Sequence, residues 1–334
     1  MNILVTGGTG FLGRHIVAEL APRHTLRLLV RRGSSRERFP QGVEFAEGDV
    51  TDRASLDRAL AGCGAVIHAA ALVKILAPRE QFDRINVGGL DNVLAAAEAA
   101  DGVGRVVYVS SFIALGPTER GPGGLLDESA DVSDRPWIND YERTKTQADR
   151  QARRAIAAGA PLSVVYPGVI YGPGEMTEGN LVVRHVVDLV AGRLPALIGR
   201  PERRWCHVHA DDVARGVALA LEKGAPSGRY VLGGENTSLG DFYDLVGKLT
   251  GAKIPTLRMP DGLAKAVGAM QKGWAKLTGG TPQLTPDLVE VYRHDWAYSS
   301  ALAQKELGYT FRPLEQGLSE SVAWLKESGQ WPSR

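Results

Sequence analysis

Residues 2–20 constrain the fold more tightly than any other stretch of the chain. Asn2-Ile-Leu-Val-Thr6 is a short apolar, β-branched run suited to a buried parallel strand. Thr6-Gly-Gly-Thr-Gly-Phe-Leu-Gly13 follows at once, and His15-Ile-Val-Ala-Glu-Leu20 reads as a helix with Ile16, Val17 and Leu20 apolar. Strand, glycine turn and helix are the setting that a phosphate-binding loop requires. The glycines allow a tight turn and close backbone approach, and the helix amino terminus offers free N–H groups with a partial positive charge. Gly8, Gly10 and Gly13 satisfy G-x-G-x-x-G, while Gly7, Gly10 and Gly13 satisfy G-x-x-G-x-x-G equally well. The bland alternative is an ordinary glycine turn.

The next strand, Leu26 to Val30, runs into Arg31-Arg-Gly-Ser-Ser-Arg36. An acid about 20 residues past the glycines holds the ribose 2′-hydroxyl of NAD in such sheets. Arg31 and Arg32 stand there instead, and a guanidinium suits a 2′-phosphate through paired, charge-assisted hydrogen bonds. NADP(H) is therefore preferred over NAD(H), with a solvated basic turn as the alternative.

Apolar runs continue at Val43–Glu47, Ala65–Ala69, Arg105–Ser110 and Leu162–Tyr166, separated by helical stretches at Ala54–Leu60, Gln81–Ala100 and Tyr141–Ala158. This rhythm predicts an α/β fold, a Rossmann-like doubly wound parallel sheet. Past Tyr166 the pattern changes. Pro167–Gly174 reads as a turn-rich strand exit, followed by a helix at Val182–Ala191 and a loop carrying Arg203, Arg204 and Trp205. Val208–Leu221 returns to strand then helix, Arg229–Gly233 is one more strand, and the remainder is mainly helical. The expected division is 1–172 with 205–233 for the nucleotide domain, and 173–204 with 234–334 for a smaller substrate region. The absence of a Gly/Ser-rich linker predicts that both parts pack into one body.

Composition excludes several roles. The 334 residues hold 39 Lys plus Arg against 38 Asp plus Glu, which gives no electrostatic footprint for nucleic acid or an anionic membrane. Cys63 and Cys206 lack ligand-like spacing and read as free thiols of a reducing cytoplasm. The first strand leaves no room for a signal peptide, and Ala61–Val73 is too short to span a bilayer. A cytoplasmic protein is expected.

Tyr141-Glu-Arg-Thr-Lys145 places a phenol and an ammonium one helical turn apart on one face. A phenol titrates at about 10 in water. A neighbouring ammonium, helped by an oxidised nicotinamide, stabilises the phenolate, so Tyr141 can exchange a proton with a carbonyl oxygen or an alcohol. Ser110 and Ser111 end the Arg105–Ser110 strand, where ligands of open parallel sheets bind, and one of them can share charge on the substrate oxygen.

With these pieces in order, the chain resembles the extended short-chain dehydrogenase/reductase superfamily, also called NAD-dependent epimerase/dehydratase, over essentially its whole length. The resemblance rests on Thr6–Gly13, Gly48-Asp-Val50, His68-Ala-Ala-Ala71, Asn86-Val-Gly-Gly89, Tyr108-Val-Ser-Ser111 with Gly116, Tyr141–Lys145 and Pro167–Pro173. It implies a catalytic set of Ser111, Tyr141 and Lys145, the position of Gly116 selecting Ser111 over Ser110. It implies cofactor contacts from Gly7, Gly10, Phe11, Leu12 and Gly13 at the phosphates. Asp49 and Val50 would lie at the adenine, Ala69, Ala70 and Ala71 along the ribose and pyrophosphate, and Pro167 to Val169 beside the nicotinamide. Asn86 matches the family asparagine near the active site, though capping a turn is an equally ordinary role. Trp296–Ser299 and Glu306–Tyr309 point to the dihydroflavonol-reductase-like branch and to bacterial hydroxysteroid and 3-keto-acid reductases. Tyr166-Pro-Gly-Val169 departs from the Arg-Pro-x-Asn of many nucleotide-sugar enzymes.

The expected activity is NADPH-dependent reduction of a ketone or aldehyde on a small to medium, largely apolar substrate. A nucleotide-sugar epimerase or dehydratase is the alternative, with Arg203 and Arg204 available to grip a diphosphate. A non-catalytic NADPH sensor is a third reading, against which the tyrosine–lysine pair speaks. His68 reads as a packed core residue, and His207, His209, Asp211 and Asp212 as a helix opening rather than a metal site. Leu263, Val267, Met270, Trp274 and Leu277 share one helical face, read as core-facing or as a pocket lid, with membrane-surface attachment as the sharper alternative. The arginines of Tyr141–Ala158 would repel across a helix-paired dimer seam, so a monomer or weak homodimer is expected.

Overall fold

The computed structural model describes all residues except 75, 120, 132–135, 281, 333 and 334. The first half alternates as read: β1 (Asn2–Thr6), α1 (Phe11–Leu20), β2 (Thr25–Val30), β3 (Glu44–Glu47), α2 (Arg53–Leu60) and β4 (Ala65–His68). α3 (Arg79–Phe82) then passes through one π-helical turn, Asp83–Val87, into α4 (Gly88–Ala99), followed by β5 (Arg105–Val109), α5 (Asp140–Ala157) and β6 (Leu162–Pro167). Beyond lie β7 (Val169–Tyr171), α6 (Leu181–Val190), β8 (Arg204–His209), α7 (Ala210–Glu222), β9 (Arg229–Leu232) and β10 (Glu235–Ser238). The chain closes with α8 (Leu239–Thr250), α9 (Asp261–Thr278), α10 (Pro286–Tyr292), α11 (Ala301–Leu307) and α12 (Leu314–Glu327).

Seven parallel strands form the main sheet in the order β3-β2-β1-β4-β5-β6-β9. This is the expected Rossmann-like doubly wound sheet. Alternate side chains of each strand enter opposite cores. Leu4, Val66, Val106 and Val164 join one, while Ile3, Val5, Ile67, Val107 and Val165 join the other. Burial on both faces explains why these strands read as continuous apolar runs. The chain leaves β1 in opposite directions to β2 and, later, to β4. That topological switch opens a crevice at the carboxyl ends of β1 and β4.

A second sheet, ordered β10-β8-β7, was not legible beforehand. β7 occupies what reads as a turn-rich exit, and Arg204 and Trp205 lie in β8 rather than in a loop. Strand pairing overrides the glycines and prolines there: Val169 to Tyr171 pair with His207 to His209, and Glu235 to Ser238 pair antiparallel with the same strand.

α5 also differs from expectation in its charges. Arg143 pairs with Asp83 at 2.5 Å and Asp140 at 2.8 Å, and Arg153 with Asp149 at 2.6 Å. Acids within the chain answer Arg143 and Arg153, two of the four arginines of that helix. α9 is partly a lid. Ala264 and Ala275 are buried, whereas Leu263, Met270, Trp274 and Leu277 are exposed. Among the described residues, no helix is long and apolar enough to cross a membrane.

Candidate active site

The crevice at the switch point opens into a cavity of about 1010 Å³, at the upper end of what single ligands occupy. Gly7, Gly10, Phe11, Leu12, Gly13, Arg31, Asp49, Val50, Ala69, Ala70, Ala71, Pro167 and Val169 all line it. Ser111, Tyr141 and Lys145 line the same cavity. Arg32 does not. Its neighbour Arg31 and Ser34 face the cavity, while Arg36 stacks over the Phe45 ring at 5.5 Å.

The glycine loop resolves its own ambiguity of register. Gly7 adopts φ of +74°, and a β-carbon on Gly13 would meet the Gly7 carbonyl at 2.0 Å. Gly7 and Gly13 thus close the turn against each other. Gly8 packs on the flexible Leu28 side chain and is absent from the lining. A β-carbon on Gly10 would meet protein only at the Gly7 carbonyl, 3.3 Å away, and would project into a cradle otherwise open. Gly10 is also the N-cap of α1, whose first turn has no side-chain cap and no acid. Open space facing unsatisfied N–H groups suits a pyrophosphate.

Ser111 follows β5 by two residues, and its side chain stands beside the Tyr141 phenol. α5 begins just before Tyr141, because the Asn139 side chain accepts the Glu142 N–H at 2.8 Å. One turn on, Lys145 is 2% exposed, donates to the Val109 carbonyl at 3.2 Å and lies 5.2 Å from the Tyr108 ring centroid. Burial pulls this ammonium down to about 7. Burial also pushes the Tyr141 phenol up to about 12, against the opposing influence of the nearby Ser111 hydroxyl. The expected lowering of the phenol by Lys145 is not present in the protein's own electrostatics. Desolvation outweighs it.

Neighbouring residues hold this set in place. His68 is fully buried, bonds the Thr6 hydroxyl at 2.7 Å, stacks on Tyr108 and is pulled down to about 3 by burial. It is the packed, neutral core histidine expected. Asn86 sits in the π-helical turn, accepts the Leu72 N–H at 2.7 Å and donates to Thr144 at 3.0 Å. Its role there is to tie the loop after β4 to α5. Tyr166, in the departing family segment, donates to the buried Asp149 at 2.5 Å.

The two arginines proposed to grip a diphosphate do something else. Arg203 pairs with Asp295 at 3.0 Å, and the Arg204 guanidinium donates to the Gly123 and Gly124 carbonyls. Neither lines the cavity. His209, Asp211 and Asp212 open α7 as expected. Asp211 bonds His15 at 2.6 Å and Asp212 pairs with Arg312 at 3.1 Å, fastening the carboxyl-terminal region to α7.

The cavity continues past the sheet into a wall built by α6, α8, α9 and α10, with Val182, Leu197, Trp205, Phe242, Val267 and Leu288 in its lining. Sequence reasoning did not single out His185, Tyr243 and Tyr292 of this wall. They lie far apart in the chain and share no motif.

A family model described as the NAD dependent epimerase/dehydratase family matches residues 3–233, more than half of the chain. The chain belongs to this family. As a member it is an NAD(P)-dependent oxidoreductase of the extended short-chain dehydrogenase/reductase type. It is 30% identical to the Methylococcus capsulatus sterol demethylase protein B, covering 98% of this chain and 99% of that protein. A Synechocystis sp. protein with a dihydroflavonol 4-reductase designation is 29% identical, covering 97% of this chain and 94% of that one. The crystal structure of gox2253 superposes with a TM-score of 0.83 at 34% identity, covering 99% of both chains.

Proposed function

We propose that this family member is an NADPH-dependent reductase of a ketone or aldehyde on a largely apolar substrate. The observation that carries this reading is one continuous cavity with Ser111, Tyr141 and Lys145 at the sheet and an apolar wall beyond. Arg31 stands at its rim with no ion-pair partner among the described residues, in position for a 2′-phosphate. The reductase designation of the Synechocystis relative supports the same class.

The chain's residues divide the work. Gly7, Gly10 and Gly13 with the α1 amino terminus hold the pyrophosphate, and Phe11 and Leu12 present the first helical N–H groups. Asp49 and Val50 would flank the adenine, Ala69 to Ala71 the adjoining ribose and pyrophosphate, and Pro167 and Val169 would border the nicotinamide. When bound, NADPH supplies the hydride. Ser111 donates a hydrogen bond to the substrate carbonyl oxygen and shares its developing charge. Tyr141, held as a neutral phenol by burial, is in the form that can deliver a proton to that oxygen. Lys145 beneath it offsets the phenolate left behind.

Tyr141→Phe tests the assignment. The variant should bind NADPH as the parent does and lose nearly all NADPH oxidation across a panel of apolar ketones. Parent-like turnover would remove Tyr141 as the acid. Tightly co-purifying cofactor with no net NADPH oxidation by the parent would point instead to an epimerase.

A further inference from the structure

The apolar wall of the cavity is interrupted by a small set of polar groups. The His185 Nε2 lies 3.1 Å from the Tyr243 hydroxyl, and the Tyr292 side chain stands beside Tyr243. All three side chains line the cavity, from α6, α8 and α10. Beside them His207, 3% exposed, stacks flat on Phe242 at 4.9 Å, and its buried Nδ1 has no hydrogen-bond partner. Two phenols and two imidazoles offer more donors and acceptors than their mutual bonds use. An apolar site gains nothing from such groups unless a ligand answers them, because unpaired buried polar atoms cost stability.

We propose that His185, Tyr243, Tyr292 and His207 form a hydrogen-bonding anchor that selects substrates whose apolar body carries a second, uncharged oxygen. This assignment deepens the reductase reading and rests on it for the reacting carbonyl. The charge state of the anchor follows from burial, which pulls both His185 and His207 down to about 4. The anchor is neutral at physiological pH, so it matches a hydroxyl, keto or amide group rather than a carboxylate or phosphate. Arg193, another cavity residue, is engaged with Asp188 at 2.6 Å. A site built around hydrogen bonds to such an oxygen discriminates strongly against an analogue lacking it.

The test uses alkyl methyl ketones from hexyl to dodecyl, each with its ω-hydroxy and ω-carboxylate derivative. Binding is read from tryptophan fluorescence with NADP⁺ present, so that the ketone is not reduced. At one or more chain lengths the ω-hydroxy ketone should bind at least about fivefold tighter than the plain ketone, the scale of one hydrogen bond. Tyr243→Phe and His185→Leu should each remove that advantage while changing plain-ketone affinity less than about twofold. Tyr292→Phe serves in place of any variant that fails to fold. Equal binding at every length, or an advantage that survives both substitutions, overturns the anchor. Tightest binding by the carboxylates also overturns it. NADPH oxidation is measured separately. Its absence with every ketone defeats the reductase reading, whereas the binding series alone decides the anchor.

Discussion

Lys145 reaches back from α5 to donate its ammonium hydrogen to the Val109 carbonyl at the end of β5, 3.2 Å away. This contact fixes the lysine beneath Tyr141 but leaves it poorly solvated. Its value near 7 therefore belongs to the working range of the enzyme.

The pH dependence of reduction follows from that burial. kcat/KM reports the ionisations of free enzyme. With Lys145 lowered to about 7, its charge is present below that pH and lost above it. kcat/KM for a ketone should be level in mild acid and fall as pH rises through this value. Lys145→Arg should lose the descending limb, since a guanidinium stays protonated. A parent profile that stays level through about pH 9 would show that the lysine charge is not required.

Cofactor choice turns on the rim of the cavity. Arg31→Ala should weaken NADPH binding by roughly 1.5–3 kcal/mol, the scale of a charge-assisted hydrogen bond, and leave NADH nearly unchanged. Arg32→Ala is the matched control, because Arg32 lies outside the lining. Equal losses for both cofactors in Arg31→Ala would reduce that arginine to a turn-shaping residue.

Much of this site was legible in the sequence because its parts are local. The glycine loop, the Tyr141–Lys145 spacing and the serines ending β5 each lie within one short segment. A parallel sheet buried on both faces announces itself through unbroken apolar runs. What escaped notice depends on partners distant in the chain. β10 has the polar sequence Glu-Asn-Thr-Ser and becomes a strand only through pairing with β8. Arg203 and Arg204 resemble a phosphate grip until Asp295 and the Gly123–Gly124 carbonyls are seen to take them. The anchor residues come from three helices and β8, which only tertiary packing brings together.

The glycine loop offers a contrast between two alanine substitutions. In Gly13→Ala the new methyl would sit 2.0 Å from the Gly7 carbonyl and 2.7 Å from the Gly8 α-carbon. Backbone cannot yield cheaply there, so a marked fall in melting temperature is expected. In Gly10→Ala the methyl would have only a 3.3 Å contact and fill the cradle instead. That variant should melt as the parent does yet bind NADPH weakly. Parent-like NADPH affinity in Gly10→Ala would mean that the phosphates do not approach at this residue.

Acid lability is the remaining expectation, and its sign follows from three buried histidines. Burial pulls His68 down to about 3 and His185 and His207 to about 4. A histidine in the unfolded chain titrates at about 6.5. Between the folded and unfolded values the unfolded chain binds more protons, so stability rises with pH in that window. The full contribution is present above about pH 6.5 and is lost as pH falls toward 4. Each histidine adds a slope of about 1.4 kcal/mol per pH unit, and three together could remove about 10 kcal/mol by pH 4, a large share of the roughly 5–15 kcal/mol of a typical fold. Denaturant midpoints measured between neutrality and pH 5 should therefore fall steeply. His207→Phe keeps the stack on Phe242 and removes one titrating group, so its slope should be shallower by about one histidine's share. An unchanged slope in that variant would show that His207 takes up its proton in the folded protein as readily as in the unfolded chain.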